Sequence, residues 1–304
     1  MPCWLSDEAN ATWSTWLIMK FVAIDWGTSS FRAWLIEHDQ IVSEIESDKG
    51  VKHFSQGDHA AYLQEALLDW QGEYKFVIAI GMIGSSIGLY ETKFSSLPID
   101  LDAVFKSLIK VPGVDTNIFI VPGVQKPGDV MRGEESQSLA ANIKDGVVVL
   151  PGTHSKWVKI VNGEIIDFKT YLTGELFEII RNHSTLSKAT DSSKQLTDSA
   201  DFYKGLDADS ENLTHDLFTI RANWLQGKSE ESSREYLSGL LIGSEIKSAR
   251  TWSGASEITL IASDSLSNIY SKALAHFGIT SKFQNKAALI EYFSAIAKRV
   301  GAQQ

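Results

Sequence analysis

Residues 23–34 read AIDWGTSSFRAW and residues 149–160 read VLPGTHSKWVKI, so one tight corner is written twice in the same chain. Each copy is an apolar run that breaks at Gly-Thr and resumes after a serine, as Gly27-Thr28-Ser29-Ser30 in the first and Gly152-Thr153-His154-Ser155 in the second. In both copies a further polar turn then leads into a third strand-like run. A repeated strand-corner-strand unit implies an α/β chain built as two related halves. With 304 residues, 43% hydrophobic and 22% charged, the sequence has the length and balance for two globular domains.

The first half reads as strands over 20–26, 31–37 and 41–46, then a helix capped by Asp58 with Leu63, Ala66, Leu67 and Trp70 on one face. Apolar runs at 75–81 and 117–122 suit buried strands, and a helix opens near Arg132-Gly133-Glu134-Glu135. The second half starts with an apolar strand at 146–151, followed by KWVKIV, the hairpin signal Asn162-Gly163 and EIIDFKTY. A helix over 232–250 opens with the capping box Ser232-x-x-Glu235, a strand follows at 257–262, and a terminal amphipathic helix carries Leu289, Phe293 and Ile296. Residues 184–212 are polar and read as a loop-rich insertion. The expected division is an extension over 1–18, an N-terminal domain over 19–144 and a C-terminal domain over 145–304, with the last helix free to pack back on the first domain.

A formal net charge of −10 repels nucleic acid and anionic membranes, so an anionic ligand must be captured by local cations and backbone dipoles. The single cysteine, Cys3, excludes an internal disulfide framework and fits a reducing compartment. Residues 1–18 have an acidic pair and only a short apolar run where an export signal would need the opposite, and Met19 stands directly before the first strand as the expected natural start. These features lead us to expect a cytoplasmic protein acting on small molecules and compatible with homo-oligomer formation.

A glycine between two strands can take positive φ, and it lets a phosphate approach successive backbone amides while neighbouring hydroxyls add donors. Alone, a Gly-Thr-Ser turn is most often only a turn. Asp25 strengthens the phosphate reading, because it ends a strand that otherwise wants apolar residues, where an unpaired carboxylate is costly. A water-mediated contact to Mg²⁺ would satisfy it, since that ion keeps much of its hydration and takes few protein carboxylates.

The strand-Asp-x-Gly-Thr-Ser-strand of residues 21–37, its second copy and the duplicated layout resemble the actin, sugar-kinase and heat-shock-protein ATPase superfamily. More closely, AIDWGTSSFRAWL, GMIGSSIG, VMRGEESQ, PGTHSKWVK, YLTGELFEIIRNHS and LSGLLIGSEI, in that order, resemble the 2-dehydro-3-deoxygalactonokinase family. The resemblance implies two ribonuclease-H-like domains with ATP and Mg²⁺ in the cleft between them. It further implies phosphorylation of the C6 hydroxyl of 2-dehydro-3-deoxy-D-galactonate in galactonate breakdown, with the domains closing over both substrates. On this resemblance Gly27, Thr28, Ser29, Gly152 and Thr153 are expected at the phosphates and Asp25 at the metal.

Arg32, Arg132 and Lys156 are the cations nearest these motifs, suited to triphosphate or the sugar-acid carboxylate, with surface ion pairing as an equal reading. In related sugar kinases the carboxylate that accepts the hydroxyl proton opens the helix before the second corner. Here that is Glu134, with Glu135 in reserve, and ordinary first-turn acids are the alternative. Ser85, Ser86, Thr173 and Glu175 offer groups for polyol recognition or for loop capping. Where the superfamily has a glycine-rich turn beneath adenosine this chain reads LIASDSL, so Asp264 either faces ribose or caps the next helix. Gly239 and Gly243, one helical turn apart, suit helix packing better than nucleotide approach.

Other readings are weaker. Gly84-Ser85-Ser86-Ile87-Gly88 matches a hydrolase nucleophile elbow with His276 downstream, but LYETKFSSLP after it lacks helical periodicity. ANWLQGKS imitates a P-loop with Ala222 in place of the first glycine. A kinase acting on another sugar, or a sugar-acid sensor on the same fold, are the functional alternatives; a pure binder would need neither Asp25 nor Glu134.

Overall fold

The computed structural model describes residues 20–55, 57–114, 116–285 and 287–302, so the expectations for residues 1–18 lie outside the described residues. The described chain forms two compact units, one of residues 20–142, 163–165 and 285–302, the other of 143–162 and 166–284.

In the first unit, β1 (Phe21–Trp26), β2 (Phe31–Glu37) and β3 (Gln40–Ser47) run as an antiparallel meander. β4 (Val77–Gly81) joins the other side of β1 in parallel, which is why β1 is buried at every residue and reads as an unbroken apolar run except at Asp25. β5 (Ser95–Ser96), β8 (Val124–Lys126) and β9 (Asp129–Met131) make a small second sheet, while β6 (Ile109–Lys110) and β7 (Ile118–Ile120) complete the order β3-β2-β1-β4-β7-β6. α1 (Asp58–Ala66) lays Tyr62 and Leu63 on this sheet, where Trp26, Phe31, Phe54 and Tyr62 meet ring to ring. α2 (Leu101–Ser107) and α3 (Glu134–Ala140) follow. Asp58 is not the cap of α1: Gly57 holds that position at φ 103°, and Asp58 is the first helical residue, where the helix dipole favours an acid. Leu67 and Trp70 are buried as expected, but Leu67 caps the end of α1 and Trp70 lies on the 3-10 turn beyond it.

The second unit repeats the pattern. β10 (Gly146–Leu150), β11 (Ser155–Val161), β12 (Glu164–Tyr171), β13 (Glu257–Leu260) and β14 (Thr280–Phe283) lie in the order β12-β11-β10-β13-β14, with β13 parallel to β10 and β14 parallel to β13. The first four positions correspond one for one to β3-β2-β1-β4. α4 (Thr173–His183), α5 (Ala200–Asp207), α6 (Leu213–Leu225), α7 (Glu230–Ser253) and α8 (Asp264–His276) belong to this unit, and the last helix, α9 (Ala287–Gly301), to the first.

Two expectations are corrected here. The cap of α7 is Ser229, whose hydroxyl accepts from Ser232 N at 3.2 Å, so the Ser232–Glu235 pair lies inside the helix. The stretch 184–212 is not only loop: α5 buries Phe202 and Leu206. α5 sits so tightly on α7 that a Cβ on Gly239 would meet Phe202 O at 2.0 Å and one on Gly243 would meet Leu206 O at 2.7 Å. Those glycines serve helix packing.

Candidate active site

In an open α/β sheet, ligands gather outside the carboxyl ends of the parallel strands. At that end of β1 stands Asp25, 5% exposed. Its Oδ2 accepts from Arg32 Nη2 at 2.5 Å, from the residue directly opposite on β2, and from Gln137 Nε2 of α3 at 3.2 Å. Burial pushes the Asp25 carboxyl up, while Arg32 and Gln137 pull it back. Arg32 Nε is itself buried without a partner. The corner Gly27–Ser30 follows, closed by Gly27 N donating to Ser30 O at 2.9 Å, with Thr28 and Ser29 exposed. It is braced from below: Val51 N donates to Gly27 O and Lys52 N to Thr28 O, and a Cβ on Gly50 would lie 2.3 Å from backbone atoms of Thr28 and Ser29.

The second corner is braced in the same way by α4. Glu175 N donates to Thr153 O at 2.9 Å, and a Cβ on Gly174 would lie 2.3 Å from Gly152 O. Neither corner glycine has positive φ, contrary to expectation, and a Cβ on Gly152 would meet nothing within 4 Å. Neither backbone conformation nor crowding therefore explains the glycine at 152. Lys156 is 3% exposed, with Nζ donating to His154 O at 3.3 Å. Asp264 is the exposed first residue of α8, after the end of β13, and Ser263 is the capping residue before it.

The structure brings α3 to the end of β4, where Gly133 packs on Gly81. Glu134 is half-buried, its Oε2 accepting from Arg132 N at 2.8 Å, and its charge is felt by both Asp25 and Glu135. Glu135 is 0% exposed and turned inward: Oε2 accepts from Gly133 N at 2.7 Å and Oε1 from Ser136 Oγ at 3.1 Å, and Ser136 Oγ in turn meets Tyr292 OH of α9. Arg132 is clamped, with Nη1 donating to Thr92 Oγ1 at 2.7 Å, Nη2 to Thr92 O, and the guanidinium 4.2 Å from the centre of the Phe94 ring. Ser85 is buried and its hydroxyl caps Met82 O at 2.7 Å, whereas Ser86 is exposed. The chain from Ser86 to the start of β5 at Ser95 carries no helix, which removes the hydrolase elbow. Thr173 is buried with its hydroxyl on Glu245, and Glu175 pairs with His154 Nε2 at 2.7 Å.

A family model for 2-keto-3-deoxy-galactonokinase matches residues 25–293, a span that takes in both corners. The chain belongs to the 2-keto-3-deoxy-galactonokinase family. It is 35% identical over 269 residues to the 2-dehydro-3-deoxygalactonokinase of Escherichia coli strain K12, covering 85% of this chain and 90% of that protein. The crystal structure of a candidate 2-dehydro-3-deoxygalactonokinase from Sinorhizobium meliloti matches with a TM-score of 0.83 at 33% identity, over 92% of this chain and 99% of that one. Component A of the (R)-2-hydroxyglutaryl-CoA dehydratase of Acidaminococcus fermentans matches at 12% identity with a TM-score of 0.52, over 94% of this chain and 100% of that one, and shares the fold alone.

In this galactonokinase-family chain the inward carboxyl of Glu135 has a measurable consequence. Burial first, then the neighbouring Glu134 charge, push it from an ordinary 4.5 to about 8. The folded protein therefore holds a proton that the unfolded chain releases, and this group makes stability fall as pH rises from about 4.5 to about 8. Glu135→Gln removes that titration, so its Tm measured against wild type should climb steadily between about pH 5 and pH 8. A Tm difference that does not change with pH would contradict the assignment.

Sequence reading missed the braces Gly50 and Gly174, the Thr92–Phe94 clamp, and Gln137. Gln137 was within reach, since it lies three residues after Glu134 on the same helical face. The clamp was not, because only the fold brings residue 92 to residue 132.

Proposed function

We propose that this protein is an ATP-dependent kinase that phosphorylates the C6 hydroxyl of 2-dehydro-3-deoxy-D-galactonate, giving 2-dehydro-3-deoxy-6-phosphogalactonate in galactonate catabolism. The observation that carries this reading is family membership across residues 25–293. The geometry of the first unit supports it, with a buried Asp25 at the end of β1, Glu134 near enough to raise its carboxyl, and an open corner between β1 and β2.

Phosphoryl transfer asks a protein for positioning and charge stabilisation more than covalent chemistry. On this reading each unit offers its own corner to nucleotide phosphate, the amides of Gly27, Thr28 and Ser29 with Arg32 in the first and those of Gly152 and Thr153 with Lys156 in the second, and Asp264 is assigned to the ribose. Asp25 fits an outer-sphere Mg²⁺ contact: both its hydrogen bonds fall on Oδ2, and no group of three metal-ligating side chains occurs among the described residues. When bound, the ion supplies neutralisation of phosphate charge. Glu134 accepts the C6 hydroxyl proton as that oxygen bonds to the γ-phosphorus, and the bridging oxygen leaves with ADP. Arg132, held by Thr92 and Phe94, is assigned to the sugar-acid carboxylate, and the exposed Ser86 on the loop after β4 to a sugar hydroxyl. Thr173 and Glu175 are assigned support of the second corner instead of sugar contact.

A cytoplasmic enzyme of small molecules, without nucleic-acid or membrane partners, suits the acidic chain; among the described residues no helix is long and apolar enough to cross a membrane. The test is ADP formation with Mg·ATP and three acceptors in parallel: the galactonate compound, its gluconate epimer and N-acetylglucosamine. Turnover mainly on the first is expected, whereas turnover mainly on another would change the substrate, and ligand binding without turnover on any would favour a sensor.

A further inference from the structure

Glu245 of α7 is 2% exposed and has no part in the chemistry above. Its carboxylate is nonetheless fully engaged. Oε1 accepts from Ser155 Oγ at 2.7 Å and Trp157 Nε1 at 2.8 Å, and Oε2 from Tyr270 OH at 2.9 Å and Thr173 Oγ1. All four donors are neutral and buried. An apolar side chain would be the less costly occupant of such a place, since burying a carboxylate without a cation is unfavourable even when its lone pairs are satisfied. Its partners indicate what the carboxylate is for. Ser155 closes the second corner, Trp157 lies two residues further along β11, and Thr173 opens α4. The next residue, Gly174, lies on Gly152 and Thr153, and Glu175 N holds Thr153 O. Tyr270 ties in α8, the helix that begins at Asp264. One carboxylate thus joins the strand after the corner, the helix beneath it and the helix that follows β13.

We infer that Glu245 is a positioning residue for nucleotide binding, fixing the corner Gly152–Ser155 in the shape that receives phosphate. The inference rests on the kinase reading. It depends on acceptor chemistry, not on volume. In Glu245→Gln the amide turns two donor hydrogens toward donors, so an isosteric change disrupts two of the four bonds. Thr173→Val keeps the shape and loses one donor, whereas Thr173→Ser restores it.

Calorimetric titration of the full chain with Mg·ADP, and separately with 2-dehydro-3-deoxy-D-galactonate, tests this, with Tm recorded for each variant. Thr173→Val and Glu245→Gln should raise the Kd for Mg·ADP about tenfold or more, equivalent to about 1.4 kcal/mol. The sugar-acid Kd should stay at the wild-type value, and Thr173→Ser should bind Mg·ADP like wild type. A folded Thr173→Val with wild-type Mg·ADP affinity, or Thr173→Ser weakened as much as Thr173→Val, overturns the inference. Equal losses toward both ligands would reduce Glu245 to a general packing role and overturn it too. Should Glu245→Gln fail to fold, the two Thr173 variants decide. Wild-type protein that binds no Mg·ADP overturns the kinase reading, which is distinct from wild-type binding with an indifferent Thr173→Val.

Discussion

Glu134→Gln is expected to lower kcat by about 10²- to 10⁴-fold, the range for removal of a positioned general base. The KM for ATP should change little, because the phosphates are assigned to the corners. Glutamine preserves the bond that ties residue 134 to Arg132 N, so the start of α3 should keep its geometry and Tm should stay near wild type. Glu135→Gln is the control. Its carboxyl is 0% exposed and bonded to Gly133 N and Ser136 Oγ, so no substrate can reach it without unfolding the turn, and kcat should remain within a few-fold of wild type. Near-normal turnover in both variants would remove this helix from the chemistry. A severe loss in Glu135→Gln alone would reverse the assignment.

The second large effect is expected at Asp25. Asp25→Asn retains shape and one acceptor for Arg32, but it removes the only negative charge that β1 carries to its carboxyl end. Losing one preorganised electrostatic contact to the reacting group costs on the order of 10²- to 10³-fold in turnover, and a loss of that order in kcat is predicted for the carboxylate assigned to orient Mg²⁺. Because Arg32 is left without its ion pair, it should hold the nucleotide at least as well as before, so Kd for ADP should not rise in parallel. The Mg²⁺ concentration for half-maximal rate should rise, read from activity against added Mg²⁺. An unchanged Mg²⁺ dependence with reduced kcat would confine Asp25 to holding Arg32. Asp25→Ala is the less informative variant, since it removes the shape and both acceptors together with the charge and frees Arg32, whose side chain is 41% exposed, to turn toward solvent.

The duplication was legible because it is local. Each copy carries its corner, its returning strand and its third strand within one continuous stretch, and the two sheets follow that order. Asp25 was legible because a carboxylate in an all-apolar strand breaks the pattern. Helix limits were less so. Ser229 and Ser232 are both plausible caps by residue type, and only the reach of Ser229 Oγ to Ser232 N separates them. α5 was hidden because it is only eight residues long inside a polar stretch and seats against the backbone of Gly239 and Gly243, an interaction that needs both helices at once. Thr173 and Glu245 show the same limit at the site. Each lies within a segment that resembles the family, yet a hydrogen bond between residues so far apart in sequence has no local signature.

The most direct test of the central claim is a phosphorus NMR spectrum of the purified protein incubated with Mg·ATP and 2-dehydro-3-deoxy-D-galactonate. A new phosphomonoester signal coupled to the C6 protons, growing in step with ADP, is the predicted result. ATP converted to ADP and inorganic phosphate with no phosphomonoester, or no conversion of ATP at all, would contradict it.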